Sequence, residues 1–146
     1  MNAGDIRGAF FLDTNILVYT FDATRPAKQA KAREWVRTAV RTQRGIIGSQ
    51  VVQEFLNVAL TRFAVPLSTA EARDYLNTVL RPLCQHYPST ATYERALALR
   101  EETGFSWYDC LIVSAALETG CATLLSEDLQ DGRTVQGMAI RNPFKD

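Results

Sequence analysis

Five short strand-like runs alternate with longer stretches of helical periodicity along this chain, and that rhythm confines it to a narrow set of folds. The first run, Ala9 to Leu12, ends at Asp13, and Thr14 to Phe21 continues with Ile16, Leu17, Val18 and Tyr19 in a helical pattern. Pro26 opens a longer helix in which Ala32, Trp35, Val36, Ala39 and Val40 share one face until Gln43 and Gly45 break it. Ile46 to Gly48 reads as a second strand, and Ser49 as the N-cap of a helix reaching about Arg62. Ser68 and Glu71 form a capping-box pattern for a helix to about Leu80, before a third strand near Leu83 to Tyr87. Thr90 to Thr103 is a helix stopped by Gly104, and Ser106 starts another that ends at Gly120. Ala122 to Leu125 is a buried strand, and Met138 to Ile140 a last edge strand before Pro143. Strands and helices in this order predict an α/β fold with a largely parallel sheet of about five strands and right-handed crossovers.

The chain of 146 residues, 47% apolar and 10% aromatic, is matched to a single domain over residues 1–146 with one hydrophobic core. Cys84, Cys110 and Cys121 are odd in number and lack C-x-x-C spacing, so they read as reduced thiols of a cytoplasmic protein. The amino terminus carries no signal-peptide pattern, and Ser114 interrupts the longest apolar stretch, so no membrane segment is expected. Formal net charge is zero, which on its own argues against indiscriminate nucleic-acid binding through a global positive field. The charge is unevenly spread, however. Arg25, Lys28, Lys31, Arg33, Arg37, Arg41 and Arg44 face a lone acid, Glu34, within one segment, which leaves the remainder equally acidic. Arg33, Arg37, Arg41 and Arg44 fall on one helical face, either a solvated surface or a track for RNA phosphates or an acidic partner segment.

Four acids stand where a strand ends or a helix opens: Asp13, Glu54, Asp109 and Asp128. In an open α/β sheet the carboxyl ends of neighbouring strands converge on one crevice, so residues distant in sequence meet there. Each acid also has a plain structural reading. Asp13 serves equally as an N-cap, Glu54 as half of a salt bridge, Asp109 as a capping-box partner of Ser106, and Asp128 as a turn residue. As a set they are a hard-oxygen donor group suited to Mg²⁺ or Mn²⁺ and to phosphate chemistry, whereas one His and three scattered Cys offer no soft-metal site. Ser126 is a small polar residue able to hydrogen-bond a ligating carboxylate or water.

Leu12-Asp13-Thr14-Asn15-Ile16-Leu17, Gln53-Glu54-Phe55, the stretch Tyr108-Asp109-Cys110 through Ala116, and Leu125-Ser126-Glu127-Asp128-Leu129 resemble, in order and spacing, the motifs of the PIN-domain nucleases. Within that family the length is similar to the VapC-type toxins of bacterial toxin–antitoxin pairs. The resemblance runs from Phe10 to about Asn142. It implies a three-layer α/β/α fold and metal-dependent endoribonuclease activity, with Asp13, Glu54 and Asp109 as core acids, Asp128 as the more variable fourth, and Asn15 or Thr14 with Ser126 as the small polar residues that support them. It further implies water-driven phosphodiester hydrolysis leaving 5′-phosphate and 3′-hydroxyl ends, a small antitoxin as partner, and a homodimer. The final loop departs from the pattern, because Glu127, Asp128 and Asp131 compete for the fourth position; Asp128 is favoured.

Three other classes compete. A haloacid-dehalogenase-type phosphotransferase needs a second Asp two residues after the first, where this chain has Asn15. A thiol nucleophile at Cys84 with His86 lacks an orienting third group. A non-catalytic RNA- or protein-binding module on the same fold is the serious alternative, and four intact acids speak against it.

Overall fold

The computed structural model describes residues 1–145. After a 3₁₀ turn at Ala3–Asp5 come β1 (Phe10–Leu12), α1 (Thr14–Tyr19), α2 (Pro26–Thr42), β2 (Gly45–Gly48) and α3 (Ser49–Thr61). Helix α4 (Thr69–Tyr75) passes through a π turn (Leu76–Leu80) into α5 (Arg81–Leu83), then β3 (Cys84–His86), α6 (Thr90–Thr103), α7 (Trp107–Glu118), β4 (Thr123–Leu125), β5 (Thr134–Val135) and β6 (Met138–Arg141). The sheet order is β3-β2-β1-β4-β6-β5. Every neighbouring pair is parallel except β5 and β6.

The sixth strand is the two-residue β5, too short to leave a periodic trace in the sequence. It folds back on β6 through Gln136 and Gly137, both with positive φ, the backbone that a two-residue hairpin of this twist requires. Met138 to Ile140 is therefore not the edge strand expected from the sequence, because β5 covers its outer side. A second correction concerns Ser49, which is the first residue of α3. Gly48 occupies the N-cap position with extended backbone and no side-chain cap.

Strand β1 lies in the middle of the sheet, and Phe10, Phe11 and Leu12 are fully buried. Successive side chains of a strand point to opposite faces. Phe10 meets Trp35 of α2 edge-on at 5.3 Å between ring centroids, while Phe11 and Ile112 of α7 line one cavity. Helices thus cover both faces of the sheet in three layers. A cluster of Phe21, Phe55, Phe63 and Tyr75 ties α1 and α3 to α4, with Phe55 and Tyr75 stacked at 4.8 Å.

Helix α2 ends where Gln43 adopts the left-handed conformation, with φ of 59°. The chain then enters β2 at Gly45, pressed against the helix it has just left. A Cβ there would stand 2.1 Å from Ala39 Cβ and 2.8 Å from Ala39 Cα. This is an overpacked position for any larger residue. Gly45→Ala is expected to destabilise the protein by about 2 kcal/mol in urea denaturation. In an Ala39→Gly background the same substitution should cost less, though not nothing, because Ala39 Cα remains in the way. Equal cost in both backgrounds would refute this packing account.

Candidate active site

The order of the sheet decides where the site lies. Chain leaving β1 turns toward β2, whereas chain leaving β4, the neighbour of β1 on its other side, continues toward β6. Their carboxyl ends therefore part and open a crevice. Asp13 follows β1 there, and its N–H extends the ladder by donating to the Leu125 carbonyl at 3.0 Å. The residue is only 8% exposed. One carboxylate oxygen accepts the Thr14 N–H at 2.7 Å, which caps α1, and the other accepts the Ser126 hydroxyl at 2.7 Å. Capping and lining the crevice are thus compatible roles for Asp13.

Burial pushes the Asp13 carboxyl up from its ordinary 3.8 to about 6, the bonds from Ser126 and Thr14 oppose this, and the charges of Asp128 and Glu54 add to it. Asp128 is raised for the same reasons, first by burial and then by Glu127, Asp109 and Glu54. The crevice, about 290 Å³, is lined by all four acids, by Thr14 and Asn15, and by Arg62. Each acid arrives from a different element. Glu54 comes from α3, flanked by buried Val51 and Phe55, and its Oε1 accepts the Thr14 hydroxyl at 2.7 Å. Its partner is thus a hydroxyl, and among the described residues it makes no ion pair. Asp109 stands in the first turn of α7, where its N–H reaches Ser106 Oγ at 3.3 Å. The reciprocal half of a capping box is missing, and its carboxylate accepts no hydrogen bond among the described residues, so it faces the crevice. Asp128 accepts from the Asn15 amide at 2.7 Å, and its N–H donates to Ser126 Oγ at 3.2 Å. Ser126 therefore joins Asp13 to Asp128.

The competing acids of the last loop point elsewhere. Glu127 is held by Lys28 Nζ at 2.9 Å and by the Tyr19 hydroxyl at 2.9 Å, and the Lys28 ammonium also sits over the Tyr19 ring. Asp131 accepts the Asn142 N–H at 2.8 Å. Of the three, only Asp128 lines the crevice.

The arginine stripe is not part of this site. Arg44 lies beyond the end of α2, off its helical face, and its guanidinium clamps the amino-terminal segment by donating to the carbonyls of Gly8 and Ile6. Arg33 donates to the Thr20 carbonyl at 2.9 Å. Arg33, Arg37 and Arg41 border a separate hollow with Val36, Val40 and Tyr75. The cation at the crevice is Arg62, which sequence reasoning passed over. A signal existed: Glu54, Val58 and Arg62 follow one another at four-residue spacing from α3 into its C-cap, and all three line the crevice.

Four carboxylates lining one crevice, two of them held above their ordinary range first by burial and then by neighbouring acids, suit a hard divalent cation with oxygen ligands. Among the described residues no three His, Cys, Asp or Glu side chains are grouped closely enough, as they are placed, to hold a metal ion. The acids instead form the walls of an open crevice, each but Asp109 restrained by a polar neighbour.

A sequence model of the PIN domain family matches residues 10–131. No curated relative matches at the level of sequence. Among solved structures, the fold is similar to a toxin–antitoxin complex from Klebsiella pneumoniae, with TM-score 0.63 and 20% identity over 93% of this chain and 98% of that one. It is also similar to VapBC2 from Rickettsia felis bound to a DNA fragment from its promoter, with TM-score 0.61 and 19% identity over 92% and 98% of the two chains. FitAcB from Neisseria gonorrhoeae gives 0.57 and 18% over 92% and 98%.

The raised Asp13 pKa makes a signed prediction for the metal-free protein. A carboxyl whose folded pKa exceeds its unfolded value contributes stability below the unfolded pKa and loses it as pH rises through the folded one. Wild type in chelator should therefore lose stability relative to Asp13→Asn between about pH 4 and 6, by at most about 3 kcal/mol, and the gap should then level off. A stability gap independent of pH would contradict the burial of this charge.

Proposed function

We propose, from the premise that this chain belongs to the PIN-domain family, that it is a divalent-metal-dependent endoribonuclease acting as the toxin of a toxin–antitoxin pair in the cytoplasm. The observation that carries this reading is the convergence of Asp13, Glu54, Asp109 and Asp128 on one crevice at the point where β1 and β4 part. In it, these four acids hold Mg²⁺ or Mn²⁺, and Thr14, Asn15 and Ser126 orient them. When bound, such an ion supplies Lewis acidity toward a phosphate oxygen and lowers the pKa of a water.

The chain's own groups account for the rest. Ser126 donates to Asp13, and this bond with the Thr14 N–H restrains a buried carboxylate that would otherwise reorient. Asn15 does the same for Asp128. Arg62 provides the positive charge that an acidic crevice needs if it is to hold a polyanion. Water attack at phosphorus leaves the 2′-hydroxyl as a spectator. Likeness to the toxin–antitoxin complexes supports an antitoxin as partner, and a small antitoxin and a homodimer are proposed with it.

The test has two parts. Saturation with Mg²⁺ or Mn²⁺ should raise the melting temperature of wild type, by linkage worth about 2.7 kcal/mol at a hundredfold excess over Kd. Glu54→Gln and Asp109→Asn should respond less. With single-stranded RNA, Asp109→Asn should lose at least about a hundredfold in cleavage rate, since one removed ligand weakens both metal and substrate positioning. A wild type that neither responds to metal nor cuts RNA would leave the non-catalytic binding module as the better reading.

Arg62 gives a separate expectation. Arg62→Ala should weaken RNA binding and reduce the salt dependence of log Kd by about one phosphate. Arg37→Ala combined with Arg41→Ala should leave both unchanged, as these side chains border a different hollow. The reverse pattern, measured by fluorescence anisotropy at several salt concentrations, would restore the α2 stripe as the RNA track.

A further inference from the structure

Resting on the nuclease reading above, we propose that the cavity beside the acidic crevice is a nucleobase subsite, which takes one unstacked base of single-stranded RNA next to the phosphate held at the carboxylates. This cavity, about 180 Å³, lies where the amino-terminal ends of α3 and α7 face each other. Gln50, Tyr108 and Ile112 line both it and the crevice, so the two hollows adjoin.

Its chemistry selects a planar, uncharged ring with polar edges. Phe11 and Ile112 give it an apolar floor, and no Lys, Arg, Asp or Glu lines it among the described residues, so neither a phosphate nor a charged side chain is the fitting occupant. At its rim stand two tyrosines that the fold leaves open, Tyr93 at 44% and Tyr108 at 66% exposure. Open aromatic faces stack bases of any identity. Between them sit groups suited to reading base edges, the amides of Gln50 and Gln53 and the ring of His86. Two of these are already fixed. Gln50 Nε2 donates to the Tyr108 carbonyl at 3.3 Å, which leaves its Oε1 free to accept. His86 Nε2 is bonded to Glu118 Oε1 at 2.7 Å, and the same oxygen accepts the Thr92 hydroxyl at 2.6 Å, so the ring is held in place. The site thus offers stacking for affinity and prealigned polar groups for preference, beside a phosphate site that by itself reads no sequence.

The experiment uses the full chain carrying Asp109→Asn, with Mg²⁺ and a short single-stranded RNA bearing a fluorescent base analogue, 2-aminopurine or pyrrolo-cytosine, at successive positions. One position should show a saturable change in fluorescence on binding. Adding Tyr93→Ala, an exposed substitution outside the crevice, should abolish that change and weaken affinity about tenfold, with the melting temperature unchanged. Gln53→Ala should alter the relative affinity for the four bases at that position. The proposal is overturned if Tyr93→Ala binds RNA with the same signal and affinity, which is also the result expected were the cavity built for a protein side chain. Cleavage separates this from failure of the nuclease reading. Wild type that cuts RNA as fast with Tyr93→Ala as without it sinks the subsite alone. Wild type that leaves RNA uncut while the Tyr93-dependent signal persists sinks the nuclease alone.

Discussion

The hydrogen bond from Ser126 to Asp13 joins the ends of the two central strands at the point where their paths part. Asp13 is a carboxylate in a nearly dry position, and an unpaired charge there would cost several kcal/mol. The Ser126 hydroxyl and the Thr14 N–H offset part of that cost, and they fix the direction in which the carboxylate faces. The surrounding acids depend on the same few groups. Thr14, next in the chain, turns its hydroxyl to Glu54, and Ser126 receives the N–H of Asp128. Two small polar residues therefore connect three acids drawn from three elements. What they do not remove is the burial and, after it, the repulsion from neighbouring acids, which together keep Asp13 and Asp128 above the ordinary carboxylate range. A site restrained this firmly and still electrostatically unfavourable has the character of one built for a cation.

Part of the basic surface is engaged in contacts within the fold. Arg44 holds the amino-terminal segment through backbone carbonyls and lies over the Phe10 ring, and Arg33 closes on the carbonyl of Thr20. Lys28 draws Glu127 away from the crevice against Tyr19 and Phe144. That contact settles which acid of the last loop faces the crevice: with Glu127 anchored to α2, the following residue, Asp128, faces Asn15. Arg62 is left as the cation among the crevice-lining residues, opposite in charge to the four acids there.

The parts of the fold legible in the sequence were those encoded locally. Apolar runs such as Phe10 to Leu12 mark strands because every side chain in them is buried, and Ser68, Glu71 and Gly104 mark helix ends through capping that involves near neighbours. Asp13, Asp109 and Asp128 could be noticed because each follows such a run or opens such a helix, and Glu54 because it sits at the edge of the apolar stripe of α3. Features set by distant partners were not legible. Nothing near Arg44 in sequence announces the carbonyls of Gly8 and Ile6, and nothing beside Glu127 announces Lys28. Ser49 looked like a cap because serine caps well, yet the strand runs directly into the helix at Gly48. Strand β5 exists because β6 offers it a partner, and two residues carry no period of their own.

The account stands or falls on whether the crevice binds a divalent ion through these carboxylates. Crystals grown with Mn²⁺ and measured for its anomalous scattering test this directly. The expected result is a peak in the crevice, contacted by Asp13 and Asp109 with Glu54 or Asp128, and lost in crystals of Asp109→Asn. No peak at saturating Mn²⁺, or a peak away from these side chains, would contradict the metal centre and the hydrolytic chemistry inferred from it.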